Sequence, residues 1–166
     1  MADSYSFDVV SEYNDQELTN ALDQARREFA TRFDFKGIAV EITHEKEELK
    51  ITTADEFKLN AVIEVLQQKL VKRNISLKIL DLSKKIESAQ NAQVRKIIPL
   101  HKGLKQEVAK KITSLLRDKF PKAKGQIMGE TVRVNSKSKD ELQAIMSLLR
   151  GQEDTLETAL QFTNYR

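Results

Sequence analysis

An α+β protein of two similar halves, each built on an antiparallel sheet, is predicted on three observations. Apolar residues switch between a period of two and a period of about 3.6, and they do so in a repeated order. Each half, about 80 residues long, carries that order once. The composition, 40% apolar and 32% charged with five glycines and two prolines in 166 residues, can bury a core and is not that of a disordered chain.

The elements follow in order. Ser6–Val10 reads as a short strand. Asn14 with Glu17 has the spacing of a capping box, and Leu18, Ala21, Leu22, Ala25, Phe29 and Phe33 then fall on one helix face. Ile38, Val40 and Ile42 alternate, as do Leu49 and Ile51, with the polar stretch around His44–Glu48 as the turn of a hairpin. Thr53 with Glu56 reads as a second cap, before a helix bearing Phe57, Val62, Ile63, Leu66 and Leu70. Leu77–Asp81 closes the first half as a strand. In the second half Val94–Ile98 is a strand and Gly103–Lys119 a helix with Leu104, Val108, Ile112, Leu115 and Leu116 inward. Lys124–Met128 and Thr131–Asn135 pair around Gly129-Glu130. Ser138 and Glu141 cap a helix carrying Leu142, Ile145, Met146 and Leu149, which Gly151 terminates, and Ala159–Thr163 is the last strand.

Read twice, β-α-β-β-α-β gives two ferredoxin-like sandwiches, expected at residues 1–88 and 89–166. Side-chain identity between the halves is poor, so the repeat is one of pattern. A core of about 80 residues is close to marginal. The halves are therefore expected to pack on each other, with exchange of a terminal strand between their sheets open to them.

Composition excludes several kinds of function. With no cysteine there is no disulfide, thiolate metal site, iron–sulfur cluster or cysteine nucleophile. No apolar run exceeds three residues, against the roughly 20 that a membrane helix needs. Asp3 and Asp8, with no basic or apolar leader, argue against a secretory signal, so a cytoplasmic protein is expected. The formal charge of +3 is unevenly spread. Residues 1–90 carry 13 basic and 17 acidic side chains, whereas residues 91–166 carry 15 and 8. Such asymmetry points to an anionic partner for the second half.

Catalytic motifs are missing. The only histidines, His44 and His101, lack metal-ligand spacing, and there is no GxGxxG, GxxxxGK[ST] or GxSxG. The acidic surroundings of His44 read as a solvated turn. No enzyme, no metal and no cofactor are expected.

A binding face is better supported. One face of a ferredoxin-like sheet packs on its helices, so alternate strand residues are displayed on the other. With Val132 and Val134 inward, Arg133 and Asn135 point outward. With Ile98 inward, Arg95 points outward, and Leu160 and Phe162 inward leave Gln161 and Thr163 outward. Gln126 and Lys124 of the hairpin join them. Arg95 and Arg133 are expected on neighbouring central strands, as two planar forks for phosphate or for a guanine edge. Arg32, Lys36 and Arg166 form a second cationic set, placed in a groove between the halves. Phe7 shares a face with Val9 and reads as core. The aromatic pair of RNA-recognition sheets is then absent.

Several words of the sequence resemble the YajQ family of bacterial proteins: SFDVVSE at 6–12, TRFDFKG at 31–37, EFKLNAVIEVLQQKLVKRNISLKILD at 56–81, KGQIMGETVRV at 124–134, DELQAIMSLLR at 140–150 and LQFTNYR at 160–166. The resemblance runs from about residue 4 to the last residue. KKIESAQNAQ at 84–93 is poorer in glycine than the family there. The resemblance implies two ferredoxin-like domains and a nucleotide-binding protein without known catalysis, with cyclic di-GMP the ligand associated with some members. It assigns no contact residues. Two classes of function therefore stand: a receptor for a nucleotide second messenger such as cyclic di-GMP, and an RNA- or tRNA-binding module that uses the basic half. A regulatory protein partner for that half is a third option.

Overall fold

Three long helices begin where a side chain accepts from the open N–H groups of the first turn. Asn14 Oδ1 accepts from the Glu17 N–H at 2.9 Å, and Ser138 Oγ from that of Glu141 at 3.2 Å, as the sequence signatures indicate. The third cap is Asp55, accepting from the Lys58 N–H at 2.8 Å, and not Thr53. Thr53 ends a strand instead, fully buried, with its hydroxyl donating to the carbonyl of Ala39.

The computed structural model describes residues 4–166. In chain order the elements are β1 (Tyr5–Val10), α1 (Asp15–Thr31), β2 (Glu41–Glu45), β3 (Glu48–Thr53), α2 (Glu56–Lys72), β4 (Glu87–Ser88), β5 (Val94–Pro99), α3 (Gln106–Lys119), β6 (Lys124–Met128), β7 (Thr131–Ser136), α4 (Lys139–Arg150), the one-turn α5 (Glu153–Leu156) and β8 (Gln161–Thr163). They make two four-stranded antiparallel sheets, β6-β7-β1-β8 and β2-β3-β5-β4.

The units are not consecutive halves. One comprises residues 4–12 with Lys102–Arg166, and the other Tyr13–His101. The boundary expected between residues 88 and 89 is therefore replaced by crossings at 12–13 and 101–102. The first strand of the chain lies at the centre of the sheet formed by the second half, and β5 lies inside the sheet of the first. Strand exchange of the expected kind thus occurs at both ends. Apolar alternation gives a strand its inner face but not its sheet, so it cannot place a boundary that pairing decides.

Unit 1 reads β1-α3-β6-β7-α4-β8, a complete ferredoxin-like order. Its core holds Phe7, Val9, Ile112, Leu116, Val132, Val134, Ile145 and Leu149. Gly125 lets α3 close on β6: a Cβ there would lie 2.9 Å from Leu116 Cδ1. Gly129 turns the β6–β7 hairpin at φ +63, a conformation that favours glycine. Leu115, expected inside, is only half-buried and faces a hollow of about 380 Å³ between α3 and α5.

Unit 2 reads α1-β2-β3-α2-β4-β5, the same arrangement with its first strand moved to the end. Leu18, Leu22, Leu49, Ile51, Leu59, Leu66, Leu70 and Ile98 fill its core. Ile38 and Val40 precede the strand begun at Glu41 and still pack on this core. Leu77–Asp81 is not a ladder strand. Leu77–Ile79 forms a 3-10 turn, capped by Ser76 Oγ accepting from the Lys78 N–H, and Leu80 alone bridges to Leu100. Among the described residues, no helix is long and apolar enough to cross a membrane.

Candidate functional site

On the sheet of unit 1 the inward positions are Phe7 and Val9 of β1 and Val132 and Val134 of β7, all fully buried. The alternate residues must then point away from the helices. Register places Asp8 across from Arg133, Ser6 across from Asn135, Gln126 across from Arg133, and Lys124 across from Asn135. Five of the expected site residues therefore belong to this one sheet and its C-terminal tail: Lys124, Gln126, Arg133, Gln161 and Arg166. Lys124 and Gln126 are exposed on edge strand β6. Gln161 uses its side-chain carbonyl to accept from the Glu12 N–H at 2.7 Å. Arg166 continues the sheet through main-chain hydrogen bonds with Ser6 in both directions, at 3.0 and 3.1 Å.

Arg133 is the best-fixed cation of the face. Its Nε donates to Asp8 Oδ1 at 3.0 Å, and its Nη2 lies 3.5 Å from Oδ2. Asn164 Nδ2 also donates to Oδ2, at 2.9 Å. The Arg133 hydrogen bond, aided by that of Asn164 and by the charges of Arg133 and Arg166, holds the Asp8 carboxyl below the usual aspartate range despite partial burial. The same pairing raises the Arg133 guanidinium. Only one edge of the guanidinium is occupied. Its end edge, Nη1 and the second N–H of Nη2, has no protein partner among the described residues. That edge remains a planar fork whose direction is fixed by Asp8.

Arg95 is not part of this face, contrary to expectation. It lies on β5 in the sheet of unit 2, across from Thr52 and Glu87, and its Nη2 pairs with Glu87 Oε2 at 2.9 Å. Its Nε is buried without a hydrogen-bond partner. The two arginines are not on neighbouring strands, because β5 and β7 belong to different sheets.

Arg32 and Lys36 also lie in unit 2, in the loop that follows α1. Arg32 pairs with Asp34 at 2.8 Å and with Glu28 at 3.2 Å, which leaves it little capacity for an external anion. Lys36 is exposed. Beside them Phe33 and Phe57 are 88% and 79% exposed, although both were expected on apolar helix faces. Helical spacing overreached there: Phe33 comes after the last residue of α1, and Phe57 sits in the first turn of α2.

Sequence reasoning missed Asp8 and Asn164. Alternation around the inward Phe7 and Val9 already turns Asp8 outward. Its partner is not local, because β1 adjoins β7 and not a strand of its own half.

The fold and this face define a double ferredoxin-like α+β protein that holds a half-occupied guanidinium fork on the sheet of unit 1. Its relatives give the family. The chain belongs to the YajQ family: a family model described as nucleotide-binding protein YajQ-like matches residues 5–166. It is 50% identical over 166 residues to a protein of Synechococcus sp. strain CC9605, and 48% identical over 166 to one of Trichodesmium erythraeum, each pair covering both chains in full. It is 45% identical over 161 residues to one of Roseiflexus castenholzii, covering 97% of each chain. All three relatives are named nucleotide-binding proteins.

Proposed function

We propose that the chain binds a guanine nucleotide of the cyclic di-GMP kind, without acting on it chemically, through the sheet face of unit 1. The observation that carries this reading is the free end edge of Arg133, held in place by Asp8. A fork of this kind matches two oxygens of a phosphate, or O6 and N7 of a guanine. Gln126 and Lys124 stand beside it on β6 and Asn135 on β7, supplying amide donors and acceptors and a further cation. The names of the relatives support a nucleotide as the ligand. A cytoplasmic second-messenger receptor is the role that fits such a site.

Calorimetric titration of cyclic di-GMP into the wild type, Arg133→Lys and Arg133→Ala tests it, with circular dichroism as the folding control. Lysine keeps the charge and loses the fork. Affinity is expected to fall at least about fivefold for lysine and further for alanine. Equal binding by all three proteins removes Arg133 from the site. A parallel salt titration with bulk tRNA separates the RNA-binding reading. Polyanion binding by the exposed lysines of α3 and β6 falls steeply with salt as counterions are released, whereas a compact ligand on one fork depends on salt only weakly.

A further inference from the structure

A second hollow in unit 1, of about 320 Å³, lies between α4 and the C-terminal tail, where Tyr5, Ser6, Lys139, Leu142, Gln143, Met146, Tyr165 and Arg166 line it. Its size is at the lower end of the range for small-molecule sites. Four features bear on what it takes. Tyr165 is 60% exposed, yet its ring is not loose: the hydroxyl donates to Met146 Sδ at 3.9 Å, and the ring lies 6.4 Å from that of Phe7 at a tilt of 37°. Lys139 sets its ammonium 5.0 Å from the centroid of the Tyr5 ring, so that a cation and an aromatic face share one wall. Arg166 adds a second cation, and no lining residue has an acidic side chain. Lys139, Leu142, Gln143 and Met146 fall at i, i+3, i+4 and i+7 on one face of α4, so the two buried apolar side chains form a floor and the exposed Gln143 amide stands beside it.

Lys139 in a lining without acidic side chains, with Arg166 beside it shared with Asp8, calls for an anion. A braced, exposed tyrosine over an apolar floor calls for a flat ring, because stacking needs only a π-face. A glutamine amide carries donor and acceptor together, the complement of the N6 and N7 edge of adenine. We propose that this hollow is a second binding site, separate from the Arg133 fork, and that it takes an adenine nucleoside monophosphate, with the base on Tyr165 and the phosphate at Lys139 and Arg166.

The chain has three tyrosines and no tryptophan. Tyr5 and Tyr165 line the hollow, and Tyr13 belongs to unit 2. Fluorine NMR of the full chain labelled with 3-fluorotyrosine therefore reads the site directly. Titration with AMP is expected to move the Tyr5 and Tyr165 resonances saturably and to leave that of Tyr13 in place. Lys139→Gln and Tyr165→Ala should each weaken the response about tenfold, and adenosine or inorganic phosphate alone should need at least about ten times the concentration. If AMP moves neither resonance saturably, or if both variants respond like the wild type, the site is overturned. Equal potency of GMP overturns the adenine preference. Lys139→Gln is a surface change and keeps the test valid if Tyr165→Ala loosens the tail. An Arg133→Lys chain should give the wild-type AMP response. Loss of the response there would show that the shifts report the open face, and would sink the second site while leaving the Arg133 reading intact.

Discussion

Asp8 joins stability to the candidate site through one carboxylate. Its folded-state pKa is lowered, chiefly by the Arg133 hydrogen bond. The pair's contribution is therefore full above the ordinary aspartate range and is lost as pH falls through the lowered value. Urea midpoints measured across the acid range should show a steeper loss of stability in wild type than in Asp8→Asn, which has no carboxylate to protonate at that position. The same substitution weakens the brace on Arg133, so cyclic di-GMP affinity should fall at neutral pH even though Arg133 itself is unchanged. A wild-type pH profile for the variant would show that the pair adds nothing to folding. At this scale the sequence makes the outward position of Arg133 legible, along with its neighbours Gln126 and Lys124. It misplaces Arg95, because outward on a central strand says nothing about which sheet the strand enters.

Helix α4 and helix α3 differ in how fully their apolar stripes are used. Leu149 of α4 is fully buried, and its replacement by alanine should cost about 2–5 kcal/mol in denaturant unfolding. Leu115 of α3 is half-buried against an open hollow, so Leu115→Ala should cost clearly less than Leu149→Ala in the same experiment. Equal losses would mean that the hollow closes in solution. Also on α3, Lys110, at the edge of that hollow, and Arg117 are both exposed, and their joint replacement by alanine should leave the unfolding midpoint in place. Any tRNA affinity would drop and its salt slope would flatten if these charges touch phosphate. Helix positions were legible because 14 to 17 residues of sustained periodicity leave little ambiguity. Leu77–Asp81 was not legible. Five residues of alternating apolarity fit a strand or a buried 3-10 turn equally well, and the Ser76 cap together with the single Leu80 bridge decides between them.

For the molecule as a whole, Tyr13–His101 is an unbroken run with its own core, while the other unit is assembled from two separated segments. A polypeptide of residues 13–101 should therefore fold cooperatively in urea on its own. A polypeptide of residues 89–166 should not, since it lacks the central strand that buries Phe7 and Val9 and carries β5, which belongs elsewhere. A cooperative transition in the second polypeptide would show that β1 is dispensable. The repeat of elements was readable because periodicity is local. The division into units was not, because strand pairing across more than a hundred residues leaves no mark on either strand's own pattern.

The central place of β1 also sets a schedule for synthesis. The strand is made well before its partner β7, which begins about 120 residues later. At bacterial and eukaryotic elongation rates of about 5–20 residues per second, that interval is roughly 6–25 s. Throughout it a six-residue segment rich in Phe and Val has no ladder partner, while the intervening unit is completed and can fold. Such a segment is an open template for pairing with other nascent chains. The inserted unit thus imposes a waiting period, and crowding of ribosomes on one message would be felt first at residues 5–10.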